Sequence, residues 1–393
     1  MTMTGESFID IDCCQRAKTR QVVSGDVFMS RKIKEEGRVI SVLSDGLGSG
    51  VKASVLANLT ATMALRYTSA FVDVRKSAGI IMDTLPVCEV RKISYSTFTI
   101  VDLDDDGRTR VIEHGNPPIL LFRGGRPVAL ERSELTLEQW KDRTIRYSEF
   151  DVQLGDRIIC FSDGISQSGL GNKGFPLGWG QEKVCAFLQQ RIAQDEEIGS
   201  RELTRKIVAE ALVNDGSVPK DDMTCAVVYY RHPRRLLVIT GPPFLKEHDA
   251  QLGELVRTFE GRKAICGGTT ANIVARALDR PVRPLLTRLD PEIPPAAELE
   301  GVDLVTEGTM TLARVAEMLE RGASQPWPDN PARDLMNHML QSDIVEFIVG
   351  TRINEAHQDP NVPMELDLRR NIVRRIIASL ETKYLKGCKL QFV

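Results

Sequence analysis

The chain has 393 residues, 42% hydrophobic and 27% charged, with 51 Lys plus Arg against 54 Asp plus Glu and a net charge of −3. That length points to two or three domains of ordinary globular composition, which excludes collagen-like, coiled-coil and disordered chains. The slight acidic excess argues against nucleic acid as a partner, because binding a phosphate backbone draws on a basic excess.

The first ten residues, MTMTGESFID, lack the apolar core of a signal peptide. No apolar run approaches the roughly 18 residues of a membrane span, so a cytoplasmic protein away from membranes is expected. Residues 39–44 (VISVLS) form a short β-branched run that ends at Asp45-Gly46-Leu47-Gly48-Ser49-Gly50. From Val51, Ala53, Leu56, Ala57, Thr60, Ala61 and Ala64 recur at helical spacing. Residues 94–102 and 109–113 read as a hairpin about Asp104-Asp105-Asp106-Gly107. Residues 117–122, followed by Gly124-Gly125, suggest another hairpin. Residues 156–162 and 223–230 are apolar strands, with amphipathic helices at 181–190 and 200–214 between them. Hairpin-linked strands with helices in separate blocks predict stacked antiparallel sheets with helices outside.

The polar, proline-bearing segment Arg231-His232-Pro233-Arg234-Arg235 marks a boundary, giving domains 1–232 and 233–393. Beyond it an α/β pattern begins. Strands at 236–240, 263–266 and 302–306 alternate with helices at 246–259, 271–278 and 312–321. After Pro326-Trp327-Pro328, two helical stretches are expected at 332–349 and 364–386, with a polar loop at 350–363. The eight cysteines, Cys13, Cys14, Cys88, Cys160, Cys185, Cys225, Cys266 and Cys388, contain no CxxC pair, so they read as buried free thiols of a reducing compartment.

Four aspartate sites share a design: Ser24-Gly25-Asp26, Ser44-Asp45-Gly46, Ser162-Asp163-Gly164 and Lys220-Asp221-Asp222-Met223-Thr224. Each lies at a strand end or turn. A single Asp-Gly is a common turn. Several carboxylates held at converging sheet edges make a cluster of hard oxygen ligands suited to Mg²⁺ or Mn²⁺. Without a cation they would repel one another.

With His114-Gly115-Asn116-Pro117-Pro118 between them, these motifs, in this order and spacing, resemble the bacterial SpoIIE-type branch of the metal-dependent (PPM) protein serine/threonine phosphatases, over about residues 8–231. The resemblance implies an α+β fold: a β-sandwich of two antiparallel sheets flanked by helices, with a binuclear centre of two Mn²⁺ or Mg²⁺ ions at one edge. The smaller α/β module with its C-terminal helices follows. Carried over position by position, Asp45 bridges the metals, the Gly46 carbonyl binds one of them, and Asp163 and Asp221 are terminal ligands on the other. Asp26 matches an acidic position acting directly or through water. Asp222 matches the Asn or Asp after the ligand, and the residues alone leave Asp221 and Asp222 open. The implied activity is hydrolysis of phosphoserine or phosphothreonine by metal-activated water, on a phosphoprotein such as an anti-anti-sigma-like regulator. The alternative is a non-catalytic signalling scaffold of the same fold.

In the HGNPP segment the family's usual histidine place holds Asn116. The segment reads as a turn, with His114 a weaker catalytic candidate. Gly48-Ser49-Gly50 reads as a helix start before a phosphate cradle, and no Walker motif is present. In the second module, Gly267-Gly268-Thr269-Thr270, Glu307-Gly308-Thr309 and Gly241-Pro242-Pro243 are candidates for a small anionic ligand, against the plainer reading of tight turns. Residues 351–360 are a candidate binding loop, against the plainer reading of a solvated helix end. The stripe Leu368, Ile372, Val373, Ile376, Ile377 and Leu380 faces either the core or a partner, a homodimer contact being one option.

Overall fold

The computed structural model describes residues 7–70, 79–82, 96–135, 144–285, 290–322, 325–352, 362–384 and 386–393. The chain divides into two compact units, Met1–His232 and Pro233–Val393.

The first unit holds two antiparallel sheets. One runs in the order β1 (Phe8–Arg16), β11 (Met223–Arg231), β10 (Arg157–Phe161), β6 (Leu120–Arg123), β7 (Arg126–Val128). The other runs β2 (Asp26–Ile33), β3 (Arg38–Gly46), β4 (Ser96–Asp104), β5 (Arg108–His114), β9 (Ile145–Asp151), β8 (Ser133–Leu135). Strand alternation sets the layers. Leu43, Val101, Leu103, Val111, Ile158, Cys160, Val228 and Tyr230 share one interior cluster. Their neighbours Ile40, Val42, Phe98 and Ile100 pack instead with Ala61 and Ala64 of α1 (Val51–Ala70). Ile159, Phe161, Cys225 and Val227 pack with α3 (Gly180–Gln194) and α4 (Ser200–Asn214). Central strands are thus buried on both faces, which is why their sequences read as continuous apolar runs. A short helix, α2 (Asp163–Ser166), follows β10.

Alanines let α1 ride close to β3. A Cβ at Gly46 would overlap the Ala53 carbonyl, so that position has room only for glycine. The β1 strand, with its Ile-Asp-Ile-Asp alternation, pairs along its whole length with β11 and was not among the expected elements.

The second unit has a seven-stranded sheet in the order β14 (Arg283–Pro284), β15 (Ala297–Leu299), β16 (Val302–Thr306), β13 (Arg262–Cys266), β12 (Arg235–Thr240), β17 (Ile344–Val349), β18 (Gly387–Phe392). The last five in that list are parallel; β14 and β15 form an antiparallel edge. One face carries α5 (Asp249–Thr258) and α6 (Gly268–Leu278), and the other carries α7 (Thr309–Arg321), α8 (Pro331–Gln341) and α9 (Val362–Lys383).

Two expectations are corrected here. The helix expected over 332–349 stops at Gln341, and 344–349 is strand β17. Asp343 ends the helical path: its N–H donates to the Arg234 carbonyl at 2.7 Å, and its carboxylate accepts from the Arg234 N–H at 2.7 Å. The β-branched Ile344-Val345-Glu346-Phe347-Ile348-Val349 then pairs with β12. Likewise helix α9 ends at Lys383 and a further strand, β18, follows. The apolar stripe of α9 is core: Ile372, Val373, Ile376 and Leu380 are fully buried within this unit, while Leu368 is exposed. Those four residues face the core of their own unit. The seven described cysteines are free, with Cys160, Cys225 and Cys266 buried and the rest half-buried; Cys88 lies outside the described residues.

A buried charge cluster ties β3, β4 and β5 together. Asp102, with no exposure, accepts from Arg38 Nε at 2.6 Å and Nη2 at 2.7 Å, and Arg110 Nε stands 3.3 Å away. Removing Asp102 leaves Arg38 and Arg110 with only the more exposed Glu36 and Asp104 as counter-charges, at a cost of roughly 3–5 kcal/mol. Asp102→Ala should therefore lower the urea midpoint by that amount of unfolding free energy; a change below about 1 kcal/mol would contradict this account.

Candidate functional site

The carboxylates of the sequence motifs are gathered by strand register. Asp26 opens β2 and Asp45 lies near the end of β3, and the two are direct cross-strand partners. In the other sheet, Phe161 of β10 pairs with Cys225 of β11, so the chain leaving β10 meets the chain entering β11. Ser162 N–H donates to the Thr224 carbonyl at 3.0 Å, and a Cβ at Gly164 would overlap the Asp222 carbonyl. That close approach sets Asp163 beside Asp221 and Asp222.

The five acids form one electrostatic group with two sides. Burial pushes Asp45 up to about 9, and the charges of Asp26, Asp163 and Asp221 add to it. Burial likewise raises Asp163, with Asp221 the next cause; Gln167 Nε2 donates to its Oδ2 at 2.9 Å. Asp26 is pushed up to about 7, again chiefly by burial, with Asp222 and Asp163 contributing. The Thr224 and Ser162 hydroxyls lie near enough to Asp26 to pull it partly back. Neither completes a hydrogen bond of good geometry: Ser162 Oγ leans to the Asp222 carbonyl at 3.4 Å and accepts the Thr224 N–H at 3.0 Å. Both Asp26 carboxylate oxygens are buried and unbonded among the described residues.

Asp221 and Asp222 part ways. Asp222 is 4% exposed, accepts the Lys18 N–H at 2.9 Å, and has Oδ2 3.0 Å from where a Gly25 Cβ would stand. The Asp221 side chain is 43% exposed, with Lys18 Nζ at 3.6 Å, and it is the one that acts on Asp45 and Asp163. The Gly46 carbonyl lies 3.7 Å from the same Gly25 Cβ position.

His114 is not part of this group. Its Nδ1 shares a hydrogen bond with the Thr144 carbonyl at 3.2 Å, and its ring lies 5.5 Å from that of Phe98. Asn116 is a buried clamp: Nδ2 donates to the Leu43 carbonyl at 3.3 Å and to Thr99 Oγ1 at 3.1 Å, and its Oδ1 accepts from Thr97 Oγ1. Two residues escaped the sequence reading. Gln15 Nε2 donates to the Asp26 carbonyl at 2.7 Å and to Thr224 Oγ1 at 3.1 Å, joining the two sheets under the acids. Lys18 supplies the one cation paired with the cluster among the described residues. Neither stands in a motif; the alternation of β1 is the signal that would have led to Gln15.

Residues 35–231 match the family model for Stage II sporulation protein E (SpoIIE). The chain belongs to the SpoIIE family. Its first unit is a SpoIIE-type PPM phosphatase region, built as the sandwich that the resemblance implied. Stage II sporulation protein E of Bacillus subtilis (strain 168) is 23% identical over 218 residues, covering 55% of this chain and 25% of that protein. The chain thus spans about a quarter of the length of that curated relative. The phosphatase domain of B. subtilis SpoIIE in a form without domain swapping has a TM-score of 0.45 and 19% identity, over 58% of this chain and 94% of that one. A second structure, of the PP2C phosphatase domain with a fragment of the regulatory domain, has a TM-score of 0.49 and 20% identity, over 58% and 64%.

The donor set of the SpoIIE-type unit fits hard divalent cations. It consists of carboxylate and carbonyl oxygens, with buried acceptors that lack donors. Among the described residues no three His, Cys, Asp or Glu side chains stand in finished metal-holding geometry.

Raised carboxylates bind protons more tightly folded than unfolded. Their stabilising effect is complete below the unfolded value near 4 and fades as pH rises through about 7 and about 9. In EDTA, the protein should lose stability by up to several kcal/mol between pH 5 and 9. Asp45→Asn should flatten that slope and melt above wild type at pH 9. A wild-type melting temperature that holds or rises over this range would refute the crowding.

Proposed function

We propose that the SpoIIE-type unit is a metal-dependent phosphoprotein phosphatase that hydrolyses phosphoserine and phosphothreonine. The observation that carries this reading is the convergence of Asp26, Asp45, Asp163 and Asp221 on one end of the sandwich, with buried oxygens left for a cation. Asp45, the Gly46 carbonyl, Asp163 and Asp221 would hold two Mn²⁺ or Mg²⁺ ions. Asp26 would act directly or through water, and Asp222 would hold the Lys18 backbone in place. Bound there, such ions supply a water of lowered pKa and neutralise charge on the transferring phosphoryl group.

The chain's own residues then do three things. Asp45, Asp163 and Asp221 fix the position of attack. Gln15 ties the Asp26 backbone of one sheet to Thr224 of the other, and the Ser162–Thr224 bonds hold the ends of β10 and β11 together. Gln167 orients the Asp163 carboxylate. No cysteine or serine nucleophile is needed, in keeping with thiols that burial pushes up, Cys13 and Cys160 among them. The substrate is a phosphorylated protein, an anti-anti-sigma-like regulator being the family's usual kind. The second unit would regulate or recruit. Among the described residues no helix is long and apolar enough to cross a membrane.

The test is phosphate release by the full chain from a phosphoserine peptide and from p-nitrophenyl phosphate, with Mn²⁺ or with EDTA. Turnover should require the metal. Asp45→Ala and Asp163→Ala should each lower kcat by about 10²-fold or more with the fold retained. Absence of both metal binding and turnover in the wild type would favour the scaffold reading instead.

A further inference from the structure

The five parallel strands of the second unit lie in the order β16-β13-β12-β17-β18, which in chain order is 3-2-1-4-5. The chain leaves β12 towards one side of the sheet and leaves β17 towards the other. Such a switch point opens a crevice beyond the carboxyl ends of those two strands, where ligands of open α/β sheets bind.

Two arginines stand at that crevice, and Thr240 Oγ1 and Arg352 Nη1 there have no hydrogen-bond partner among the described residues. Thr240, the last residue of β12, is fully buried, and its Oγ1 has no hydrogen-bond partner among the described residues. The next residue, Gly241, has φ +79°, and a Cβ there would come within 2.6 Å of Arg369 Nη1 and 2.9 Å of the Gly350 carbonyl. Arg369, from α9, therefore lies against the turn that ends β12. A second arginine reaches the same turn from the end of β17. Arg352 N–H donates to the Pro242 carbonyl at 3.2 Å, and its Nη2 reaches Asp249 at 3.4 Å. Its Nη1 is buried with no partner among the described residues. Asp249 is the acid the structure pairs with Arg352, and the Val393 carbonyl is already taken by the Thr351 and Phe244 N–H groups. Phe244, two residues past Pro242, is 65% exposed beside this turn.

The neighbouring turns divide. Glu307 bonds the Met310 and Thr311 N–H groups at 3.0 and 3.3 Å, so the start of α7 is filled by the chain's own carboxylate. Gly267 caps α6 without a side-chain acceptor or an acid in the first turn, and nothing lies within 4 Å of a Cβ at Gly268. That helix start stands at the carboxyl edge of β13, next to β12.

We propose that this switch point binds a nucleotide. Its phosphates would be held by Arg352, Arg369 and Thr240 Oγ1, with the base against Phe244. Buried donors without acceptors destabilise a fold unless a ligand takes their bonds. Planar guanidinium groups suit phosphate oxygens, and an exposed aromatic ring suits a base. This proposal is independent of the phosphatase reading.

The experiment is calorimetric titration of the full chain in EDTA with ADP, and separately with inorganic phosphate and adenosine. One-to-one ADP binding is expected, tighter than either fragment. Arg352→Gln and Arg369→Gln should each weaken it about tenfold or more. Phe244→Ala should weaken it several-fold. Thr240→Val, which removes only the hydroxyl, should keep or raise the melting temperature while shrinking the shift that ADP produces. Asp45→Asn should bind ADP as the wild type does. No ADP binding, binding indifferent to both arginine changes, or binding lost in Asp45→Asn would overturn the proposal. Equal affinity for phosphate and ADP would overturn the nucleoside part.

Discussion

The first unit is organised around one cost, the crowding of like charges. Asp26, Asp45, Asp163, Asp221 and Asp222 meet where two sheets end, and burial and mutual repulsion lift Asp26, Asp45 and Asp163 above the ordinary carboxylate range. A loop could not hold such a cluster, because its members would swing apart. Here the separation is set by backbone: the Asp26–Asp45 pairing, the Phe161–Cys225 pairing, and glycines at 46 and 164 that let a helix and a turn close in. The hydrophobic layers on both sides of the central strands supply the stability that the cluster consumes.

The rest of the same unit shows what an acid of structural purpose looks like. Asp102 has Arg38 and Arg110, Asp156 has Arg123 at 2.6 Å, and Glu113 has Arg132 at 3.1 Å. Each of these three buried acids is neutralised by guanidinium. Asp26, equally buried, has both oxygens unbonded, and the cluster's one described cation, Lys18, reaches the exposed Asp221. Counting burial alone would have ranked Asp102 beside Asp26. Counting partners separates them, and the separation follows chemistry: a buried carboxylate without a cationic partner either takes up a proton or is completed by something outside the chain.

Much of this was legible in the sequence because it was local. Asp-Gly after a β-branched run, repeated with the right spacing, placed Asp45 and Asp163 at strand ends, and alanines at helical spacing placed α1. What was illegible was pairing at long range. Gln15 acts on Thr224, 209 residues away, and nothing near Gln15 signals that bond. Asp221 and Asp222 were indistinguishable until Gly25 and the Lys18 backbone were seen to claim Asp222. In the second unit, the stretch 332–349 carried apolar residues at spacings that suit a helix throughout. Only the pairing of Ile344–Val349 with β12, and the exchange between Asp343 and Arg234, cut it into helix and strand. The loop over 351–360 lies outside the described residues beyond Arg352.

The two units express one rule with opposite sign. Each leaves some charged or polar groups unsatisfied beside the ends of buried strands, where backbone is rigid and side chains of several elements converge. In the first unit those groups are acceptors, the Asp26 oxygens, and the chemistry that answers them is cationic. In the second they include donors, Arg352 Nη1 among them, and the chemistry that answers them is anionic. A chain that spends stability on unsatisfied acceptors in one sheet and unsatisfied donors in another has not made the same packing error twice. Errors of packing carry no preferred sign and no preferred address. The Asp26 oxygens and Arg352 Nη1 lie beside strand ends, and each is surrounded by residues of matching charge: four more aspartates around Asp26, and a second arginine beside the turn that Arg352 contacts.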